Sequence, residues 1–175
     1  MKDIENYLEK PQIDAMLEAA LSCNVRDYLL INLLWRTGIR VDELLHIRPR
    51  DLEYHTNMVR IVKAKRNKQR RVPLDPQTLA QLREYINENA IDELSPIFPM
   101  TRQWARAIVK RYGRLIERDV HPHTFRHSFA INCVRQNWDI RRLQQVLGHS
   151  SMATTAIYLR FNDADIQELY DRTKF

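Results

Sequence analysis

Glycine is scarce in this 175-residue chain, which holds only Gly38, Gly113 and Gly148. Three glycines so scattered cannot build a GxGxxG turn or a GxxxxGK phosphate loop, so Rossmann chemistry and nucleoside triphosphate hydrolysis are not expected. Cysteine is scarcer still, and Cys23 and Cys133 lie too far apart for CxxC spacing. That argues against a cysteine zinc site and a disulfide scaffold; both residues are expected in the core of a protein kept in a reducing cytoplasm. No apolar run approaches the roughly 20 residues that cross a bilayer. The polar start MKDIENYLEK predicts no secretory leader. What is present, 44% hydrophobic and 29% charged residues, is the composition of one globular domain able to bury a core without staples.

Acidic residues are missing from one stretch in particular. Arg60, Lys63, Lys65, Arg66, Lys68, Arg70 and Arg71 follow one another with no acid among them, and Arg102 to Arg118 carries six bases against Glu117 alone. The acids gather instead in the first twenty residues and from Asp163 to Asp171. A net charge of +6 segregated in this way suits a surface facing a polyanion, because clustered Lys and Arg gain affinity by releasing counterions. A merely solvated face would look similar.

The periodicity predicts a mostly helical domain with a small antiparallel sheet, an α+β chain that is mainly α. Pro11 opens a helix with Ile13, Met16, Leu17, Ala20 and Leu21 on one stripe. Residues Asp27 to Thr37, apolar on most sides, read as a central buried helix stopped by Gly38. Arg40 to Ile47 reads as another short helix ended by Pro49. Leu52 to His55, Met58 to Val62 and Arg70 to Leu74 read as strands, and the last hairpin carries the basic cluster. Asp75 and Pro76 start a helix to about Asn89. Thr101 to Arg118, Pro122 to Gln136, Asp139 to Leu147 (ended by Gly148), Ser151 to Arg160 and Asp163 to Arg172 complete the helices.

Four separated patches hold residues suited to a phosphodiester: TGIRVDELL from Thr37, AKRNKQRRVPL from Ala64, HPHTFRHSFA from His121 and LGHSSMATTAIY from Leu147. Arginine matches phosphate bidentately and stays charged, which suits Arg40 and Arg126 to two non-bridging oxygens without a metal. Glu43, one turn after Arg40, can orient its guanidinium. His123 and Arg126 share a helix face, with His127 at its edge, and HxHxxxH also permits a zinc site, although no acidic ligand lies near in sequence. Taken singly, each residue has an ordinary surface or core reading.

Taken together and in this order, the four patches resemble the tyrosine recombinase, or phage integrase, family over essentially its whole catalytic domain. The resemblance implies that Tyr158, nine residues after His149, is the nucleophile. It implies further that Arg40 and Arg126 stabilise the transition state, that His123 assists proton removal, and that His149 donates to a phosphate oxygen. Lys65 is then the general acid for the leaving 5′ oxygen, although Ala64 and Arg66 flank it where the family usually has glycines. Glu43 is the supporting acid, and Arg66, Lys68, Arg70 and Arg71 are expected to contact DNA.

The implied activity is site-specific recombination of double-stranded DNA through a 3′-phosphotyrosine, with no cofactor and no metal, by a DNA-bound tetramer in the cytoplasm. Residues 1–175 are expected to form a single catalytic domain without the family's N-terminal core-binding domain. The chain would then be either a piece of a longer protein or a minimal recombinase of the fimbrial-switch invertase type. Relaxation of DNA in the manner of a type IB topoisomerase, a non-catalytic DNA-binding regulator and a metal-dependent nuclease are the rivals. The target sequence, and the choice among integration, excision and inversion, are not written in these residues.

Overall fold

A computed structural model describes residues 6–62 and 69–161. The chain divides into two compact units, one ending at Phe129 and one beginning at Ala130.

In the first unit, helix α1 (Lys10–Cys23) starts where the Glu9 backbone N–H donates to Gln12 Oε1 at 3.0 Å, with Pro11 in its first turn. Ile13, Met16 and Ala20 form its buried stripe, while Leu21 and Cys23 are exposed. The expectation that both cysteines are core residues therefore fails for Cys23, which ends its helix on the outward side. Asn24 serves two helices, closing α1 and accepting from the backbone N–H groups of Arg26 and Asp27 at the start of α2 (Val25–Thr37). Leu29 to Leu34 are buried without interruption, and α1, α4 and α5 all pack on this helix, which is the central one expected.

Gly38 ends α2 at φ 60°, a left-handed conformation that glycine adopts at little cost. The helix expected from Arg40 to Ile47 shrinks to α3 (Val41–Leu44). Arg40 is extended, at φ −73° and ψ 148°, and forms the N-cap rather than the first turn. A 3₁₀ turn (Pro49–Asp51) leads into the sheet of β1 (Leu52–Glu53), β2 (Met58–Val62) and β3 (Gln69–Pro73), antiparallel in the order β1-β2-β3. Val59 faces Val72, Arg60 faces Arg71 and Ile61 faces Arg70. Because side chains alternate along a strand, Arg70 shares the inward face with Val72, and Arg71 points the other way.

Helix α4 (Pro76–Glu88) is capped by Asp75, whose side chain accepts from the Thr78 N–H at 2.9 Å. Its buried Thr78 hydroxyl receives Asn32 from α2 at 3.1 Å. Helix α5 (Arg102–Leu115) stops short of the expected Arg118, because Glu117 turns left-handed at φ 54° and the Arg118 N–H returns to the Gly113 carbonyl. Asp27, 1% exposed at the start of α2, takes Arg26 at 3.1 Å, the Arg111 guanidinium and the Tyr112 hydroxyl at 3.3 Å, which fastens α2 to α5.

Helix α6 (Pro122–Arg135) opens in the first unit, where Thr124, Phe125, Arg126 and Ser128 are buried. The second unit takes in its end, then α7 (Ile140–Leu147), capped by Asp139 and stopped by Gly148 at φ 66°. The helix expected over Ser151 to Arg160 resolves into α8 (Ala153–Ala156) and a 3₁₀ turn (Ile157–Phe161). The helix expected from Asp163 lies outside the described residues.

Candidate active site

The turn between α2 and α3 is where a buried polar group and a special backbone position coincide. Arg126, 3% exposed, donates from Nη1 to the Gly38 carbonyl at 2.7 Å. One turn further along α6, the Phe129 ring lies so close to Gly38 that a Cβ there would sit 2.4 Å from Phe129 Cδ1. The backbone that leads into Arg40 is thus held by α6 through a charge-assisted hydrogen bond and an aromatic ring.

Arg40 is fixed in turn by the acid three residues on. The Glu43 carboxylate accepts the Arg40 backbone N–H at 2.9 Å, and Arg40 Nη1 approaches its other oxygen at 3.5 Å. The same carboxylate takes both Nη atoms of Arg70, each at 2.9 Å. Burial pushes the Glu43 carboxyl up, but the Arg70 guanidinium and the Arg40 N–H and guanidinium outweigh it and hold the group at about 2 instead of 4.5. Glu43 is therefore an anion at neutral pH between two permanent cations. Beside it opens a cleft of about 940 Å³ with Arg40, Glu43, His46, Arg48, Arg50 and Arg60 in its walls.

The basic segment is less free than its sequence suggests. Arg60 binds Asp51 through Nε at 3.1 Å and Nη2 at 2.9 Å, Arg70 binds Glu43, and the largely exposed Arg71 reaches Glu53 at 3.0 Å. These pairings were missed in the sequence, as was the inward-facing, half-buried location of Arg70. The signal for the latter was present: Arg70, Val72 and Leu74 alternate with polar or exposed positions, the pattern of one inward strand face. Lys65, Arg66 and Lys68 lie outside the described residues.

His123 is exposed near the start of α6 and His127 is half-buried one turn later, with ring centroids 6.4 Å apart. His121 faces Asp119 at 3.3 Å. Among the described residues no three His, Cys, Asp or Glu side chains gather closely enough to hold a metal ion, so the HxHxxxH spacing does not produce a ligand cluster.

In the second unit, Gly148 turns the chain so that His149 follows the end of α7, and the Gln144 side chain donates to its carbonyl at 3.2 Å. His149 Nδ1 meets the hydroxyl of the fully buried Thr155 at 2.9 Å. Thr155 was not singled out in the sequence; it orients the imidazole and thereby sets where its Nε2 points. Tyr158 is 2% exposed in the 3₁₀ turn that follows α8.

The first unit thus unites Arg40, Glu43, Arg70 and, through the Gly38 carbonyl, Arg126, while His149 and Tyr158 share the second. The profile of the phage integrase family matches residues 6–165. The chain belongs to that family. Among phage integrase relatives, a tyrosine recombinase of Pseudothermotoga lettingae is 34% identical over 177 residues, covering 96% of this chain and 59% of the relative. The crystal structure of XerA recombinase superposes with a TM-score of 0.81 at 29% identity, covering 97% of this chain and 66% of that one. XerH site-specific recombinase bound to its difH substrate in a pre-cleavage complex gives a TM-score of 0.75 at 25% identity, covering 87% and 49%. The chain spans about three fifths of the length of the curated relatives it matches. A catalytic-domain fold that is mainly α with a small antiparallel sheet is what the matched structures share with it.

Proposed function

We propose that this chain is the catalytic domain of a site-specific DNA recombinase, which cleaves and rejoins strands of double-stranded DNA through a 3′-phosphotyrosine. The observation that carries the reading is the Arg126 guanidinium on the Gly38 carbonyl, two residues from Arg40, so that one turn owns two cations that cannot lose their charge. Family membership, relatives that are tyrosine recombinases and a matched structure bound to DNA support it.

In this reading the Tyr158 hydroxyl oxygen attacks the scissile phosphorus, and His123 assists removal of its proton. The P–O5′ bond breaks, and Lys65 protonates the leaving 5′ oxygen. Arg40 and Arg126 stabilise the non-bridging oxygens, and His149 donates a further hydrogen bond. A 5′ hydroxyl of the partner strand then attacks the phosphotyrosine and regenerates Tyr158. The bond energy stays in the covalent link, so neither a nucleotide nor a metal is drawn upon. Four protomers on DNA, with Arg66, Lys68 and Arg71 on its backbone, form the working assembly in the cytoplasm.

The test begins with a pool of nicked duplexes with randomised cores, in which cleavage releases a short strand and traps the enzyme. Sequencing of the captured strand defines a substrate. The wild type is expected to yield a covalent adduct in the presence of excess EDTA, and Tyr158→Phe to bind the same duplex yet yield none. An adduct that persists in Tyr158→Phe refutes the assignment, and cleavage that is lost on chelation and restored by zinc favours the nuclease reading. Tyr112 is a poor substitute nucleophile: burial and the neighbouring Asp27 carboxylate push its phenol up, and its hydroxyl is engaged by Asp27 and Arg111.

A further inference from the structure

Arg70 stands on the inward face of β3 and has little surface left to offer a polyanion. It shares the inward side with Val72, its side chain is 13% exposed, and Glu43 opposite is 9% exposed. Taking both ions largely out of water is costly, and an apolar pair of similar volume would often stabilise the fold as well or better, so a largely buried ion pair asks for a reason other than stability. The geometry supplies one. Two parallel contacts of 2.9 Å fix both oxygens of Glu43, whereas the approach of Arg40 Nη1 at 3.5 Å lies at the outer limit of a hydrogen bond. Arg70, not Arg40, therefore sets the direction of the carboxylate. What Glu43 holds firmly of Arg40 is the backbone, through the 2.9 Å contact from its N–H. The Arg40 guanidinium is left half-exposed in the cleft, steered by a nearby anion but not consumed by it.

We infer that Arg70 is a positioning residue for Arg40: by clamping Glu43 it fixes the N-terminus of α3 and leaves the Arg40 guanidinium available to a phosphate. The inference rests on the reading of Arg40 as a phosphate-binding group, and it takes Arg70 out of the set of DNA contacts. A phosphate contact and a positioning residue leave different marks. Loss of the first weakens DNA binding and lowers its salt dependence, since one counterion fewer is released. Loss of the second leaves binding intact and slows the chemical step, because small displacements of a group that holds the reacting phosphate cost rate.

The experiment uses the full chain and the captured duplex, with cleavage followed in single turnover at saturating DNA and affinity followed by anisotropy across a salt series. Arg70→Met is expected to slow cleavage by roughly 10- to 100-fold, with the dissociation constant and its salt slope unchanged within about twofold. Arg70→Lys keeps a charge without the two-pronged fork; it should recover part of the rate, and it keeps the test open if Arg70→Met folds poorly. In an Arg40→Lys background, Arg70→Met should cost less than about threefold, because the group it positions has already been altered. A lower affinity with the salt slope reduced by about one would make Arg70 a phosphate contact after all. The same loss in both backgrounds would mark general loosening of the fold, and wild-type rates in both Arg70 variants would leave it no role; either overturns the inference alone. A wild-type chain that forms no adduct overturns instead the reading of Arg40 on which it rests.

Discussion

Glu43 is ionised because three donors surround it, and proton binding there is coupled to unfolding. Its carboxyl is held at about 2 in the folded chain against 4.5 when free, so the unfolded state binds the proton first as pH falls. The stabilisation is complete above about pH 4.5 and is lost as the pH drops toward 2; the shift corresponds to something on the order of 3 kcal/mol. Urea unfolding of wild type and Glu43→Gln at a series of pH values should show a stability difference that narrows steadily from pH 5 to pH 2.5. A difference that does not change with pH would mean that Glu43 is not held ionised by its neighbours. No such linkage is readable from TGIRVDELL, since the partner that matters most, Arg70, is 27 residues away in sequence.

At the scale of elements, the turn between α2 and α3 depends on a missing side chain. Alanine at position 38 would have to adopt φ 60° and place its Cβ 2.4 Å from Phe129 Cδ1, so either the ring or the turn must move. Gly38→Ala is expected to lower stability by about 2–4 kcal/mol, combining left-handed strain with overpacking. A urea midpoint that shifts by less than the equivalent of about 0.5 kcal/mol would show that Phe129 yields freely. The end of α2 at Gly38 and of α7 at Gly148 were legible in the sequence, because a left-handed stop needs a residue type that is rare here. The helix at Arg40 was drawn too long, since its apolar spacing continues to Ile47 although Arg40 itself is extended and acts as a cap. Arg40 and Arg126 could be paired as candidates from motif order alone. Their connection through the Gly38 carbonyl could not, because a backbone oxygen carries no sequence signature.

At the scale of the molecule, charge among the described residues is less segregated in space than along the chain. Arg60, Arg70 and Arg71, three of the seven bases between residues 60 and 71, each meet an acid from another element, and Arg102 and Arg111 do the same with Asp42 and Asp27. A count of bases in one stretch therefore overstates the charge available to a polyanion, because folding spends some of those cations on long-range pairs. Under the proposed function, the DNA-facing surface has correspondingly fewer residues in it. Leu21 has a similar lesson, since its spacing puts it on the apolar stripe of α1 yet it is exposed in the last turn beside Cys23.

The two thiols carry this difference in burial into reactivity. Each compact unit holds one cysteine: Cys23 is exposed in the first, and Cys133 in the second is buried, its thiol pushed up to about 12. Since only the thiolate alkylates, iodoacetamide should modify the native chain once, at Cys23, and the urea-unfolded chain twice. Mass spectrometry of the time course gives the check, and rapid double labelling of the native chain would contradict the burial of Cys133. The slow second addition then becomes a clock for the opening of the Tyr158 unit, read without a mutation and against an internal standard that the chain itself supplies.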